Sequence, residues 1–177
     1  MFEAHEGDIV PTVTPTMAMV CKTTIDAAAA NIIGARLRRP LSSVRNATRV
    51  AMCQFSCGSL DMICSFETLE HIDNPDAFIQ TVYHLLKPTG IFICSVPNMW
   101  VDETGKDPNP HHLHVYDYDK LLNLVSGILQ PIELYAQIAG NGNKFPDRPR
   151  TLKNIKLEAE FRNVEAEWCL LKAQKSP

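Results

Sequence analysis

Two short apolar runs flank one amphipathic segment in the middle of this chain. Residues 62–66 and 91–96 are apolar except for one serine each, as is typical of strands that are covered on both faces. The segment between them begins near Asn74 and repeats its apolar residues at helical spacing. This pattern predicts a strand, a helix and a second strand, in that order.

The helix of this unit has clear boundary signals. Asp73 or Asn74 can supply a capping oxygen, and Pro75 suits the first helical turn. Gly90 suits a left-handed turn after Pro88. The apolar face of the predicted helix carries Phe78, Val82, Leu85 and Leu86.

Polar side chains follow each predicted strand. Glu67, Glu70 and His71 come directly after the first strand, and Asn98 follows the second. Ligands of open α/β sheets bind beyond the carboxyl ends of the strands. We therefore expect these four side chains to lie towards one edge of the sheet.

The N-terminal part has a weaker pattern. Prolines in residues 1–24 argue against a central strand, so an extended arm or loop is predicted there. An alanine-rich helix over residues 25–38 follows, and residues 44–52 can hold one short strand. We therefore divide the chain into an atypical N-terminal arm and helix, residues 1–50, and an α/β domain, residues 51–177.

The C-terminal part continues the alternation. A long loop, residues 99–116, precedes a helix capped by Asp117 or Asp119. Strands are predicted over residues 132–139 and 164–173, with Trp168, Leu170 and Leu171 as core contacts of the second. No clear helix separates these two strands, so we expect an antiparallel pair.

Composition restricts the classes of partner. The 177 residues carry a net charge of −3 and are 45% hydrophobic, which is ordinary for a soluble globular domain and gives no positive field for nucleic acid or anionic lipid. No apolar run approaches the ~20 residues of a spanning helix, and the acidic N-terminus does not resemble a secretion signal. A cytoplasmic protein with no membrane or nucleic-acid partner is expected. Cys64 and Cys94 lie inside the apolar runs, and no disulfide or metal role is expected for the six cysteines.

The long loop is rich in histidine. His111, His112 and His114 can line a substrate site, belong to a plain loop or bind a metal. A metal on this loop needs a third or fourth ligand, which Asp107 or Asp117 could supply. We favour the first two interpretations and expect no metal.

The order of these elements, with their residues, resembles the C-terminal half of class I S-adenosylmethionine-dependent methyltransferases. The likeness is greatest to the small-molecule, type-11-like branch, which includes the quinone-biosynthesis methyltransferases. It covers residues 52–135, and the last strands extend it to about residue 173. The residues that carry it are 58–63 (GSLDMI), 65–72 (SFETLEHI), 85–90 (LLKPTG) and 95–98 (SVPN).

This resemblance implies a Rossmann-like methyltransferase sheet, mainly parallel, with a C-terminal antiparallel hairpin and incomplete N-terminal strands. It implies S-adenosylmethionine as cofactor, walled by Ser65, Phe66 and Glu67. It also implies a small-molecule acceptor, for which His71 is the candidate general base because histidine titrates near neutral pH. The expected acceptor-side residues are Asn98, His111 and Tyr116.

The N-terminal half departs from the family pattern. Members carry a glycine-rich turn after their first strand, whereas Gly7 and Gly34 are isolated here. The alternative to an active enzyme is thus a truncated or degenerate methyltransferase-fold protein, acting as a partner subunit or surviving as a gene fragment. If early strands are missing, the strand over residues 62–66 lies near an open sheet edge, which would favour a homodimer or a partner chain.

Overall fold

One mixed sheet and two helices form the regular structure of the described residues. The computed structural model describes residues 17–21, 55–139, 144–145, 147–158 and 164–177. The strands are β1 (Met17–Cys21), β2 (Leu60–Phe66), β3 (Leu86–Pro97), β4 (Gln130–Ile138), β5 (Thr151–Ile155) and β6 (Trp168–Gln174). The helices are α1 (Pro75–Leu85) and α2 (Tyr118–Ser126), and a 3₁₀ turn (Leu69–His71) follows β2.

Both helices begin where the capping signals predict. The Asn74 side chain accepts a hydrogen bond from the Ala77 amide at 3.0 Å, and Pro75 occupies the first helical position. At α2 the Asp117 side chain accepts from the Lys120 amide at 2.7 Å. Each side chain satisfies one of the amides that a helix start leaves without an intrahelical partner.

The α/β class is confirmed, but the expectation of a mainly parallel sheet is wrong. The strand order is β1-β2-β3-β6-β4-β5. The β1–β2 and β2–β3 pairs are parallel, whereas β3–β6, β6–β4 and β4–β5 are antiparallel. The cause is the placement of β6, which returns between β3 and β4 and so replaces one parallel pairing by two antiparallel ones. The antiparallel pairing of β4 with β6 was predicted.

Two strands lie outside the sequence predictions. β1 falls in the segment predicted as an arm, but it begins after Pro15, in a run free of proline. Because β1 pairs with β2 along its length, β2 is an interior strand of the described sheet and not an open edge. β5 is short, and four of its five residues are exposed, so its sequence carries no apolar alternation.

The start of β3, where a left-handed turn was predicted, differs from the prediction in one detail. Thr89, not Gly90, takes the left-handed conformation, with φ of 62°. Gly90 is needed for space, since a Cβ there would lie 2.9 Å from the Lys87 carbonyl oxygen. Glycine is thus required at this position by close backbone approach.

One buried row of side chains crosses the sheet and marks the face that the helices cover. Paired residues on five adjacent strands are all buried, and α1 packs on this face through an edge-on contact between Phe78 and Phe92. The row consists of Ser65, Cys94, Leu171, Leu134 and Ile155. Trp168 and Leu170, which were expected in the core together with Leu171, are half-buried.

The predictions for residues 25–38 and 44–52 lie outside the described residues. The division of the chain at residue 50 therefore stays a prediction. Within the described ranges, neither helix has the length and apolarity that crossing a membrane would require.

Candidate functional site

The carboxyl ends of β2 and β3 lie side by side, with Phe66 paired to Ser95. The chain turns at Glu67, whose φ is 49°. Its amide donates to the carbonyl oxygen of Ser95 and to the Ser95 hydroxyl, each at 3.2 Å. A left-handed conformation is costly for a residue with a side chain, so the contacts to Ser95 help to hold the backbone in this turn.

The carboxylate of Glu67 joins three strands. Its Oε1 accepts a hydrogen bond from Ser95 Oγ at 2.8 Å, and its Oε2 accepts from Trp168 Nε1 at 2.6 Å. Glu67 follows β2, Ser95 lies in β3 and Trp168 begins β6. Two donors therefore fix one negative charge at the carboxyl edge of the sheet.

The other two predicted cofactor residues differ in their exposure. Ser65 is fully buried beneath the edge, and its hydroxyl makes no hydrogen bond within the part of the chain that the structure describes. Phe66 is half-buried at the end of β2. Its carbonyl oxygen accepts a hydrogen bond from Thr68 Oγ1 at 2.8 Å. Phe66 and Glu67 can therefore face a ligand at this edge, and Ser65 supports them from below.

The histidine-rich loop folds back onto the turn after β2. The carbonyl oxygen of Glu70 accepts hydrogen bonds from the amides of Leu113 and His114, at 2.7 and 3.2 Å. The Nδ1 of His71 donates to the His111 carbonyl oxygen at 2.9 Å. This bond leaves the electron pair of a neutral His71 on Nε2, which lies 3.7 Å from Glu70 Oε1.

The structure gives the three loop histidines different environments. The ring of His112 lies edge-on to that of His71, with centroids 4.7 Å apart, and its Nδ1 donates to Asp107 Oδ2 at 2.6 Å. His114 donates through Nε2 to the Ile72 carbonyl oxygen at 2.9 Å. His111 is exposed. The candidate base His71 is therefore in contact with His112, one of the three loop histidines that the sequence offered for a substrate site, a plain loop or a metal.

Asn98 and Tyr116, predicted on the acceptor side, are brought together by an isolated parallel bridge between the residue after β3 and the end of the long loop. The Asn98 amide donates to Glu167 O at 2.8 Å, and its Nδ2 donates to Ala166 O at 3.2 Å. Tyr116 is buried, and its hydroxyl makes no hydrogen bond among the described residues. Burial, reinforced by the charge of Glu70, raises the pKa of Tyr116. Tyr116 is therefore a neutral part of the core below this edge.

A cleft of about 570 Å³ opens beside Asn98. Lys144 donates through Nζ to the carbonyl oxygens of Asn98 and Met99, at 2.6 and 3.4 Å. Burial lowers the pKa of Lys144, and neighbouring acidic groups partly oppose that shift. The cleft is lined by Asn98, Met99, Asp117, Tyr118, Asp119, Lys144, Phe145, Val164, Glu165 and Ala166.

Sequence reasoning missed Lys144 as a site residue. The lysine lies in a segment rich in glycine and asparagine, and such a composition indicates a loop without indicating where the loop folds. The available signal was the pairing predicted for the strands on either side, which returns this loop to the carboxyl end of β3.

Comparisons with known proteins agree with the fold. A family model described as a methyltransferase domain matches residues 19–166. A curated protein of Mycolicibacterium smegmatis, named a probable S-adenosylmethionine-dependent methyltransferase, is 26% identical over 98 residues, or 54% of this chain and 38% of that protein. This chain therefore spans well under half the length of that relative.

A solved structure of low sequence identity shares the fold. A SAM-dependent methyltransferase of Thermotoga maritima, described as a possible histamine N-methyltransferase, superposes with a TM-score of 0.56 at 13% identity, over 69% of this chain and 58% of that one. An S-adenosylmethionine-dependent methyltransferase of Mesorhizobium loti gives a TM-score of 0.43 at 16% identity, over 68% of this chain and 64% of that one.

Proposed function

The chain belongs to the methyltransferase-domain family, and from that premise we propose that it transfers the methyl group of S-adenosylmethionine to a small-molecule acceptor. This cofactor is the one that the family and the names of its relatives imply. The observation that carries the proposal is the pairing of a fixed carboxylate, Glu67, with a neighbouring cleft at the same edge of the sheet.

The described residues fit the chemistry of the cofactor. When bound, S-adenosylmethionine supplies a methyl group on a positively charged sulfur. The negative charge of Glu67 is held in place by Ser95 and Trp168, and a preoriented charge stabilises an opposite charge with little reorganisation. Half-buried Phe66 adds apolar surface next to it. Phe66 and Glu67 are the residues proposed to hold the cofactor, with Ser65 beneath them.

The acceptor is proposed to enter the cleft beside Asn98. Its volume of about 570 Å³ lies within the range of small-molecule pockets. The backbone and side-chain amides of Asn98 donate to the carbonyl oxygens of Glu167 and Ala166, respectively, which fixes the residue. Tyr116 packs beneath the edge. Exposed His111 remains a proposed acceptor-side residue. The proposed role of these residues is to orient the acceptor and exclude water, which lowers the barrier of a direct displacement.

His71 is the proposed general base for an acceptor that must lose a proton. The hydrogen bond from Nδ1 to the His111 carbonyl oxygen sets the tautomer that leaves Nε2 basic. Its side chain is 6% exposed, so a proton taken there is shielded from bulk water.

Calorimetry on the full chain tests the proposal. S-adenosylmethionine and its demethylated product should each bind with saturable heat. Glu67→Gln should weaken binding of S-adenosylmethionine about tenfold, or ~1.4 kcal/mol, because the fixed negative charge is lost. Glu103→Gln makes the same charge change on an exposed loop residue and should bind as the wild type does. The absence of heat at millimolar cofactor would reject the enzyme proposal.

One observation favours the second candidate, a methyltransferase-fold protein without catalysis. Cys21 ends β1, and Lys22, Thr23 and Thr24 follow it; the next glycine is Gly34. The family's glycine-rich turn is therefore absent from the sequence directly after β1. A chain that folds but fails to bind the cofactor would support a role as a partner subunit, and light scattering would then test association through a sheet edge.

A further inference from the structure

We propose that Glu70, His71 and His112 form a binding site for a divalent transition-metal ion of the zinc class. One donor atom of each residue lies within 4.8 Å of the donor atoms of the other two. Two of the ligands come from the turn after β2, and the third comes from the loop after β3. This contact between two loops explains why the spacing of the loop histidines alone gives no metal signature.

The distances require only a small contraction. Nitrogen and oxygen ligands lie about 2.0–2.2 Å from zinc, which places neighbouring ligands of a tetrahedral site roughly 3.4 Å apart. His71 Nε2 and Glu70 Oε1 are already 3.7 Å apart. The longest separation is 4.8 Å at most, and a small shift of the loop that carries both His112 and Asp107 would close it.

Both imidazoles already make the hydrogen bond that metal-binding histidines make on their far side. Such a histidine donates its other ring N–H to a backbone carbonyl or a carboxylate, which fixes its tautomer. His71 donates through Nδ1 to the His111 carbonyl oxygen, and His112 donates through Nδ1 to Asp107. In the neutral form of each ring, this bond places the electron pair on Nε2, the atom that would coordinate an ion. At His112 an ion would displace the Asn109 amide, which now donates to Nε2 at 2.9 Å.

Burial adds a second argument. The side chains of Glu70, His71 and His112 are 1%, 6% and 9% exposed. Burial keeps bulk water away from an ion at this position, and the attraction between a dication and a carboxylate is stronger where water is excluded.

The donor set selects the class of ion. Imidazole nitrogen suits zinc, iron, nickel and copper, whereas magnesium and calcium prefer oxygen ligands alone. Two histidines with one glutamate leave a coordination position open, as in catalytic zinc sites. This extension rests on the proposed methyl transfer: an acceptor hydroxyl bound at the open position would have its pKa lowered by the ion. His71 would then be a ligand instead of a base.

Metal binding is measured without the cofactor, so its outcome is independent of methyl transfer. The full chain is stripped with EDTA, and Zn²⁺ alone is titrated in competition with a chromophoric chelator. Co²⁺ is added separately, and its visible spectrum is recorded. We expect one equivalent of Zn²⁺ bound more tightly than micromolar and cobalt bands typical of four or five ligands. Weaker or non-stoichiometric binding by the wild type would overturn the proposal.

Variants locate the ion. Asp107→Asn should weaken Zn²⁺ about 10–100-fold, the usual effect of losing the outer hydrogen bond of a metal-binding imidazole. His112→Gln should weaken it further, because a ligand is lost. His84→Gln, on α1 outside the cluster, should bind as the wild type does. Wild-type affinity in folded His112→Gln would place the ion elsewhere and reject the site. Circular dichroism establishes whether each variant is folded. If His112→Gln does not fold, the affinity of Asp107→Asn for Zn²⁺ decides: wild-type affinity in that variant would reject the site.

Discussion

Trp168 donates its indole N–H to the carboxylate of Glu67 at 2.6 Å, across 101 positions of sequence. The same carboxylate accepts from Ser95. Glu67 thereby holds the last strand of the sheet to the turn after β2, and the two donors help to stabilise its left-handed backbone. The Glu67 side chain therefore belongs to the candidate site and also attaches the last strand to the sheet edge.

Trp168→Phe should lower the stability of the chain. The substitution keeps an aromatic ring opposite Trp100, whose centroid lies 5.6 Å away, but removes the N–H. A hydrogen bond to a charged group contributes about 1.5–3 kcal/mol, and access of water to half-buried Glu67 reduces that figure, so we expect a loss of about 1–2 kcal/mol. Urea denaturation followed by circular dichroism measures it.

The matched control is Trp100→Phe, which alters the same aromatic pair and keeps the hydrogen bond to Glu67. Its loss of stability should be less than half that of Trp168→Phe. Equal losses would assign the effect to aromatic packing and not to the N–H donor.

Local signals in the sequence predicted the middle of the fold. The helical repeat through Phe78 and Val82 and the caps at Asn74 and Asp117 placed both helices, because these features depend on residues three or four positions apart. β5 escaped prediction because its residues are mostly exposed. The order of the strands was not predicted because it depends on where β6 inserts, and that position is set by contacts between residues far apart in the sequence.

The site was predictable only in part, for the same reason. The polar residues after β2 were expected at the sheet edge. The partners that orient them are distant in sequence: Trp168 for Glu67 and the His111 backbone for His71. No periodicity connects such positions. Lys144 likewise reaches Asn98 across 46 positions.

Tyr116→Phe should have different effects on the stability of the chain at neutral and at alkaline pH. Near pH 7 the change removes a buried hydroxyl that makes no hydrogen bond among the described residues, so stability should stay equal or rise by up to about 1 kcal/mol. Because burial raises the pKa of Tyr116 in the folded state, the unfolded chain loses this proton first. The contribution of this pKa shift to the free energy of unfolding is thus fully present below pH ~10. It is lost as the pH rises further, at up to ~1.4 kcal/mol per pH unit.

Tyr118→Phe is the comparison for this effect. Burial raises the pKa of Tyr118 as well, but its hydroxyl donates to the Val164 carbonyl oxygen at 3.0 Å. At pH 7 this variant should lose about 1 kcal/mol, and both variants should show a flatter decline between pH 10 and 11. A Tyr116→Phe variant as unstable as Tyr118→Phe at pH 7 would mean that the Tyr116 hydroxyl has a partner.

Asn74→Ala should destabilise α1. The Asn74 side chain caps the helix through the Ala77 amide, and loss of such a cap costs about 0.5–2 kcal/mol. Thermal denaturation should show a fall of roughly 2–4 °C per kcal/mol for a chain of this size. Asn74→Ser keeps a capping oxygen and should lose far less; equal shifts would exclude the cap as the cause.

Lys144→Met should lower the stability of the chain and change how that stability depends on pH. The ammonium donates to the carbonyl oxygens of Asn98, Met99 and Ala166, and methionine keeps the length of the side chain without a donor. Near pH 7 we expect a loss of about 1 kcal/mol. Arg148→Met, which removes an exposed cation from the same loop, is the control and should change stability by less than half as much.

The sign of the pH response follows from the lowered pKa of Lys144. Burial makes the folded chain release this proton at lower pH than the unfolded chain does. Between those two pKa values the unfolded state binds more protons, so the contribution of Lys144 to stability rises with pH. The tyrosines titrate alike in wild type and Lys144→Met, and the difference between the two proteins isolates the lysine. Urea denaturation at pH 8 and pH 10 should show the advantage of the wild type growing with pH; an advantage that shrinks would mean that charge on Lys144 stabilises the cleft more than burial opposes it.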